Sequence, residues 1–220
     1  MIAFDSSGGG LTTTLGNLTF SHTCSGTDRI LFVGCWGGQS GKTAGITGVT
    51  YNGVAMTEIL STVPTGPTVL IQKLFYLVNP STGTNNVVVT RTGTGIYTWG
   101  HSVSYTGASQ TGVPDASSVT TNTGTSITGT VTTVADNSWL VGFVTDEGSA
   151  TLTAGAGTVK RNDQVGWSAI ADSNSAKTPA GSDSLVISSS ASHAHTFQVA
   201  SFKPAVASTG FAHSQSIIIS

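Results

Sequence analysis

Ile30-Leu31-Phe32-Val33-Gly34-Cys35-Trp36 is an unbroken apolar run that follows Asp28-Arg29 and ends at Gly37-Gly38. A strand with one face in water alternates polar and apolar residues, so a continuous run indicates a strand that is buried on both faces. The run is too short, and too rich in β-branched and aromatic residues, to indicate a helix. We therefore predict a central strand around which the other strands assemble.

The composition limits the class of protein. A chain of 220 residues has room for one large all-β domain or two small ones. Only 8% of the residues are charged, against roughly 25% in ordinary soluble domains, and Gly, Thr and Ser dominate instead. The net charge is −2, and the chain has no basic cluster. No apolar run approaches the roughly 20 residues of a transmembrane helix. We expect neither a nucleic-acid partner nor a membrane partner.

The surface and the first residues together indicate a setting. Hydroxyl and amide groups, rather than charges, are expected to keep the surface soluble, as is common in extracellular and virion-exposed β-proteins. Met1-Ile2-Ala3-Phe4-Asp5 lacks the basic region and apolar core of a signal peptide, so the ordinary secretory route is not expected. A virus particle released by lysis would reconcile these two observations.

Several other stretches predict strands. The region from Leu11 to Thr23 is predicted as one long strand. Asn52-Gly53 between two short β-prone segments predicts a hairpin with a type I′ turn. Val69 to Val78 predicts another apolar strand, and alternation over Ile96 to Tyr105 places Trp99, His101, Val103 and Tyr105 on one face.

The second part of the chain echoes the first. The echoed pairs keep the same order and lie roughly 100 residues apart: Asp28–Gly34 with Asp136–Gly142, Phe75–Val78 with Ser168–Ala171, Asn86–Thr90 with Ser184–Ser188, and Ser102–Tyr105 with Val199–Phe202. We predict two related halves, about 10–107 and 112–205, within one antiparallel, jelly-roll-like β-sandwich over residues 1–205. Two tandem immunoglobulin-like sandwiches are the alternative. Residues 206–220 form a C-terminal tail.

Reactive constellations are sparse, so neither an enzyme nor a cofactor is expected. No G-x-S-x-G elbow is present. The adjacent carboxylates of Asp146 and Glu147 precede Gly148-Ser149, which favours a polar hairpin tip over an acid–base pair. His193 and His195 share one strand face, and His22, His101 or Asp183 would have to complete a metal site. Without a defined third ligand, a solvated strand face is the simpler interpretation.

The two cysteines leave alternatives open. Cys24 and Cys35 flank the turn Ser25-Gly26-Thr27-Asp28. If that turn closes a hairpin, Cys24 faces about Arg29, and a disulfide would require another strand order because the Cα atoms must lie within roughly 7 Å. Two reduced, half-buried thiols are the simpler interpretation.

Aromatic residues are the best candidates for ligand contacts. Tryptophan rings stack on pyranose faces, and Trp36, Trp99, Trp139 and Trp167 are the candidates. Trp36, beside Gly37-Gly38, is expected at a strand end, whereas Trp139 lies in the repeated apolar run and is expected in the core. Trp36 and Trp99 are therefore the predicted ligand-stacking aromatics, with a glycan as the possible ligand.

The tail ends in Ile217-Ile218-Ile219, and Phe211 precedes this triplet. Exposed apolar residues at a terminus need a cover, and an apolar edge strand is a template for strand addition. We predict Phe211, Ile217, Ile218 and Ile219 as assembly contacts.

The strand patterns carry a resemblance. Gly48 to Met56, Leu74 to Pro80, Val87-Val88-Val89 and Val103-Ser104-Tyr105 resemble β-rich structural proteins of tailed phages, which are head decoration (cement) proteins or tail-fibre modules. The resemblance implies a non-enzymatic decoration protein on the outer capsid surface of the virion. Its implied partners are the major capsid protein and further copies of the chain in a trimer or dimer. A carbohydrate- or receptor-binding module of a tail fibre or surface protein is the alternative.

Overall fold

The computed structural model describes residues 1–164 and 166–206. These residues form antiparallel β-sheets that pack as a sandwich, which confirms the predicted all-β sandwich. The strands are β1 Ala3–Thr12, β2 Leu18–Cys24, β3 Ile30–Gly38, β4 Ala44–Tyr51, β5 Val54–Ala55, β6 Thr57–Thr62, β7 Val69–Val78, β8 Gly83–Gly93, β9 Tyr97–Thr106, β10 Ala116–Thr132, β11 Trp139–Asp146, β12 Leu152–Ala154, β13 Val159–Gln164, β14 Ser168–Asp172 and β15 Ser182–Phe202. The described residues contain no helix long and apolar enough to cross a membrane.

The strands form four layers. An outer sheet has the order β2-β8-β4-β5, and it covers a first inner sheet with the order β1-β9-β3-β7-β6. A second inner sheet has the order β10-β15-β11-β14-β13. Strands β10 and β15 are so long that their distal parts, joined by β12, fold over this second inner sheet as the fourth layer. Ile127 and Leu185 in the distal parts pack against Leu140 and Val144 of β11.

Strand β3 lies at the centre of the first inner sheet, between β9 and β7. All nine of its residues are buried. Ile30, Phe32 and Trp36 join a core shared with the second inner sheet, whereas Leu31, Val33 and Cys35 join the core beneath the outer sheet. This burial on both faces accounts for the unbroken apolar run in the sequence.

The two inner sheets have corresponding strand orders. Strand β11 holds the central place in the second sheet that β3 holds in the first, with β15 and β14 in the places of β9 and β7. Three of the four echoed sequence pairs fall on these corresponding strands, whereas Asn86–Thr90 lies on β8 of the outer sheet and its echo Ser184–Ser188 on the distal part of β15. The sheets pack so that β1 contacts β13 and β6 contacts β10, and their shared core contains Phe32 from one half and Phe143 from the other.

The structure corrects one predicted strand and confirms a hairpin. Leu11 to Thr23 is not one strand, because residues 13–17 turn the chain from β1 in the inner sheet to β2 in the outer sheet. The sequence prediction does not include strand β1, whose Gly8-Gly9-Gly10 run has a low β-propensity. The hairpin at Asn52-Gly53 is confirmed, and both residues have the positive φ that a type I′ turn needs.

The cysteines are free thiols. Cys24 and Cys35 are both buried in the core beneath the outer sheet. Burial raises the pKa of both thiols, because the thiolate would lose its solvation. The predicted reduced state is confirmed, since no disulfide joins them, but both thiols are fully buried rather than half-buried.

Gly34 provides a test of the packing between the inner sheets. A Cβ atom at Gly34 would lie 2.2 Å from Cγ of Phe143, whereas one at Gly48 would meet no heavy atom within 4 Å. We expect Gly34→Ala to lower the free energy of unfolding by about 1–3 kcal/mol, because an added methyl group in a dense core forces neighbouring side chains and backbone to move. Gly48→Ala is the matched control, with little change expected. Urea unfolding measures both, and equal stabilities would contradict the proposed close contact.

Candidate functional site

An aromatic cavity lies where strands of both halves meet. Its volume is about 210 Å³. It lies near the end of β3 and near the starts of β7, β9 and β14. We call it the aromatic pocket, and its lining residues are Trp36, Thr68, Tyr97, Trp99 and Trp167. Three of the four tryptophans in the chain therefore line one cavity.

The rings differ in their exposure. Trp36 and Trp99 are stacked, with ring centroids 5.7 Å apart and an angle of 9° between their planes. The Trp167 ring lies 6.2 Å from the Trp36 ring at an angle of 36°. Trp36 is only 1% exposed, so it backs the wall, while Tyr97, Trp99 and Trp167 are partly exposed. The structure thus brings together the two predicted stacking residues. Trp99 is exposed enough to contact a ligand, whereas Trp36 is buried.

Sequence reasoning missed Tyr97 and did not select Trp167. Tyr97 precedes Trp99 by two residues on β9, so strand alternation places both rings on one face and could have identified Tyr97. Trp167 comes from the other half of the chain, immediately before β14. Its proximity to Trp36 depends on how the two inner sheets pack, and no local pattern encodes that packing.

A chain of hydrogen bonds holds Trp36 in place. An indole nitrogen can only donate, so Trp36 Nε1 donates to Ser168 Oγ at 3.1 Å. The Ser168 hydroxyl can then donate to His101 Nε2, which lies 2.8 Å away. His101 Nδ1 is left to donate to Asn162 Oδ1 at 2.7 Å. This arrangement requires a neutral His101, and burial lowers the pKa of His101 to about 4.

Glu147 fixes the loop beside the aromatic pocket. Its carboxylate accepts hydrogen bonds from the backbone N–H groups of Thr68 at 2.9 Å and Val69 at 3.1 Å. Burial raises the pKa of Glu147, and these hydrogen bonds oppose that effect. Because Glu147 follows β11 and Thr68 precedes β7, the contact ties the two halves together.

The predicted polar hairpin tip at Asp146-Glu147 is wrong. Asp146 is the last residue of β11 and is fully buried. Its carboxylate accepts hydrogen bonds from the Ser189 hydroxyl at 2.8 Å and the Gly148 N–H at 2.7 Å. Burial alone would raise the pKa of Asp146, but hydrogen bonds from His195, Gly148 and Ser189 hold it below its ordinary value.

The two histidines flank the same carboxylate. His193 Nδ1 lies 2.7 Å and His195 Nε2 lies 3.0 Å from oxygens of Asp146. His195 is buried, so the predicted solvated face is wrong for this residue. His22 instead forms a hydrogen bond with Ser102, and Asp183 forms an ion pair with Lys177 at 3.7 Å. Among the described residues, no group of three or more His, Cys, Asp or Glu could hold a metal ion.

A larger cavity of about 500 Å³ lies at the other end of β11. Trp139 is its one aromatic lining residue, and that ring packs edge-on against Tyr105 at 5.6 Å. The remaining wall comes from turns and from the two ends of the described chain, such as Met1, Asn174 and Ala205. The aromatic pocket offers more ring surface and is the better candidate site.

The predicted assembly contacts Phe211, Ile217, Ile218 and Ile219 lie outside the described residues. Comparison with protein-family models, with curated proteins and with solved structures finds no match to this chain. The resemblance to phage structural proteins therefore stays a prediction.

The hydrogen-bond chain predicts acid sensitivity. The pKa of His101 is about 4 in the folded protein and roughly 6.5 in the unfolded chain. Between these values the unfolded chain binds a proton that the folded protein does not, so stability falls as the pH drops from 6.5 to 4 and is unaffected by this group above that window. We expect His101 to contribute a loss on the order of 3 kcal/mol.

Urea unfolding at several pH values measures this loss. His101→Gln should lower stability at pH 7 but flatten the decline between pH 6.5 and 4. His22, whose pKa burial also lowers to about 4, remains in both proteins and contributes to the slope that persists in the variant. Equal slopes in parent and variant would contradict the assignment to His101.

Proposed function

We propose that this chain is a non-enzymatic structural protein of a tailed-phage particle, which decorates the outer surface of the head by binding the major capsid protein. The edge strand β10 is the observation that carries this proposal. It is 17 residues long and contains neither a charged residue nor a proline. Such an edge presents unpaired backbone groups to which another chain can add a strand.

The opposite edge of the same sheet is protected. Strand β13 carries Lys160, Arg161 and Asp163 among its six residues, and charged edges discourage strand addition. In the distal part of β10, from Ser126 onward, two backbone carbonyl groups are already occupied. Asn122 Nδ2 donates to the Ser126 carbonyl at 2.7 Å, and the Ser118 hydroxyl donates to the Thr130 carbonyl. Residues 116–124 are the part of this edge that we propose as the docking surface.

Other features support the same setting. The surface has few charges, and the strand patterns resemble those of phage structural proteins. A strand of the major capsid protein is the proposed occupant of the β10 edge, and a second copy of this chain, in a dimer or trimer, is the alternative occupant. The apolar tail, with Phe211 and Ile217-Ile218-Ile219, is a second proposed contact with the capsid.

A lysine on the open part of β10 tests the proposal. Thr121 is exposed on this part. Phage particles prepared without this chain are mixed with the purified protein, and Thr121→Lys should bind to them in fewer copies than the parent chain does. The reason is that a charged edge resists strand addition. Thr128→Lys, at an exposed position on the distal part of the same strand, is the matched control and should bind normally. Quantitative mass spectrometry of purified particles measures the occupancy.

Full occupancy by Thr121→Lys would exclude the β10 edge as the docking surface. Absence of the parent chain from purified particles would refute the decoration function as a whole.

The aromatic pocket favours a second candidate function, carbohydrate or receptor binding by a tail-fibre or surface module. Partly exposed rings of Tyr97, Trp99 and Trp167 face one cavity. Aromatic surface of this kind, combined with a few polar groups, is typical of small-ligand sites. This function is compatible with a place on a phage particle, where it would help the particle to adhere.

A glycan array tests the second candidate. We expect the full chain to bind particular glycans and Trp99→Ala to lose this binding, because Trp99 is the partly exposed member of the stacked pair. Trp36→Ala is unsuitable, since Trp36 is buried core. Leu15→Ala, which changes an exposed apolar residue in a turn, is the control and should bind as the parent does. Unchanged binding by Trp99→Ala would place any glycan site elsewhere.

A further inference from the structure

We propose that the aromatic pocket binds one uncharged sugar ring, such as the terminal pyranose of a neutral glycan. This inference rests on the second candidate function and names its ligand class. It is independent of whether the chain decorates a phage head. Three properties of the aromatic pocket carry it: its volume, the orientation of its rings and its charge.

The volume limits the ligand to about one ring. Cavities that enclose drug-sized molecules measure roughly 300–1,000 Å³, whereas the aromatic pocket measures about 210 Å³. An extended oligosaccharide would need a groove along the surface. The dimensions therefore favour the end of a glycan chain, inserted as a single residue.

The ring orientation favours a flat ligand face. The planes of Trp36 and Trp99 differ by only 9°, and that of Trp167 is tilted by 36° from Trp36. Because the buried Trp36 ring stacks against it, Trp99 is an ordered, partly exposed indole on which the C–H face of a pyranose can stack. A quaternary ammonium group is instead recognised by aromatic rings that surround the cation as a cage. Choline is therefore the probe that tests this alternative.

The charge distribution disfavours an acidic ligand. None of the five residues that line the aromatic pocket is charged. The Glu147 carboxylate lies beside the aromatic pocket, where it accepts a hydrogen bond from the backbone of the lining residue Thr68. It would repel the carboxylate of a uronic or sialic acid. The lining side chains carry the hydroxyl groups of Thr68 and Tyr97 and the indole N–H groups of Trp99 and Trp167, which are suitable partners for sugar hydroxyls.

The wall is held in place before any ligand arrives. Trp36 is fixed through Ser168 and His101, and the Thr68 backbone is fixed by Glu147. A site that is already ordered loses less conformational entropy on binding. This rigidity suits recognition of a small ligand with few contacts.

Isothermal titration calorimetry on the full chain tests the proposal. The probes are the methyl glycosides of glucose, galactose and N-acetylglucosamine, together with glucuronic acid, sialic acid and choline. We expect saturable binding of at least one neutral glycoside, and at least tenfold weaker binding of both acids and of choline.

A pocket-filling variant ties binding to the site without removing a core residue. Thr68→Trp places an indole at the aromatic pocket and should weaken binding of the neutral glycoside at least tenfold. Thr65→Trp adds the same ring at an exposed position in the same loop, outside the lining, and should bind as the parent does. Unfolding curves for both variants verify that each is folded.

The outcomes separate the proposals. Saturable binding of no probe, or undiminished binding by Thr68→Trp, would overturn the neutral-sugar site. Tighter binding of choline or of an acidic sugar would overturn the ligand class. Array binding of larger glycans that Thr68→Trp leaves intact would refute this inference while leaving a carbohydrate function at another surface. Virion occupancy depends on none of these results.

Discussion

The close approach of Gly34 to the Phe143 ring is the contact on which the structure depends. It joins the central strands β3 and β11 at the middle of the shared core. A side chain at Gly34 would push the two inner sheets apart. The same approach brings Trp167 to Trp36 and the Glu147 carboxylate to the loop before β7. The aromatic pocket is therefore a consequence of how closely two sheets pack.

Polar contacts fix the register of the two inner sheets. Within the apolar core, Gln72 Nε2 donates to the Phe143 carbonyl at 2.9 Å, and the Tyr105 hydroxyl donates to Asp172 at 2.8 Å. Apolar surfaces alone tolerate sliding, whereas a buried polar group that loses its partner costs about 1–3 kcal/mol. These contacts, together with the bond from Trp36 to Ser168, select one relative position of the halves.

Local patterns predicted the central strand, the Asn52-Gly53 hairpin and Trp99 as a candidate contact, because each depends on neighbours in sequence. The Gly8-Gly9-Gly10 segment conceals β1, because glycine has a low β-propensity. A Cβ atom at Gly8 or Gly10 would meet β2, and one at Gly9 would meet Asn162 of β13. The burial of Asp146 was hidden because its partners His193 and His195 lie nearly 50 residues away. Trp167 joins the site only through the packing of the halves. Long-range geometry is what a single sequence leaves out.

The position of the aromatic pocket at the joint has an evolutionary consequence. Trp36, Tyr97 and Trp99 come from one half, and Trp167 comes from the other. If the matching strand orders record a duplication, the ancestral half had no such cavity of its own. In that case the site would have arisen from fusion followed by divergence of the two copies, and its rings would be where related chains acquire new ligand preferences while the paired central strands stay the same.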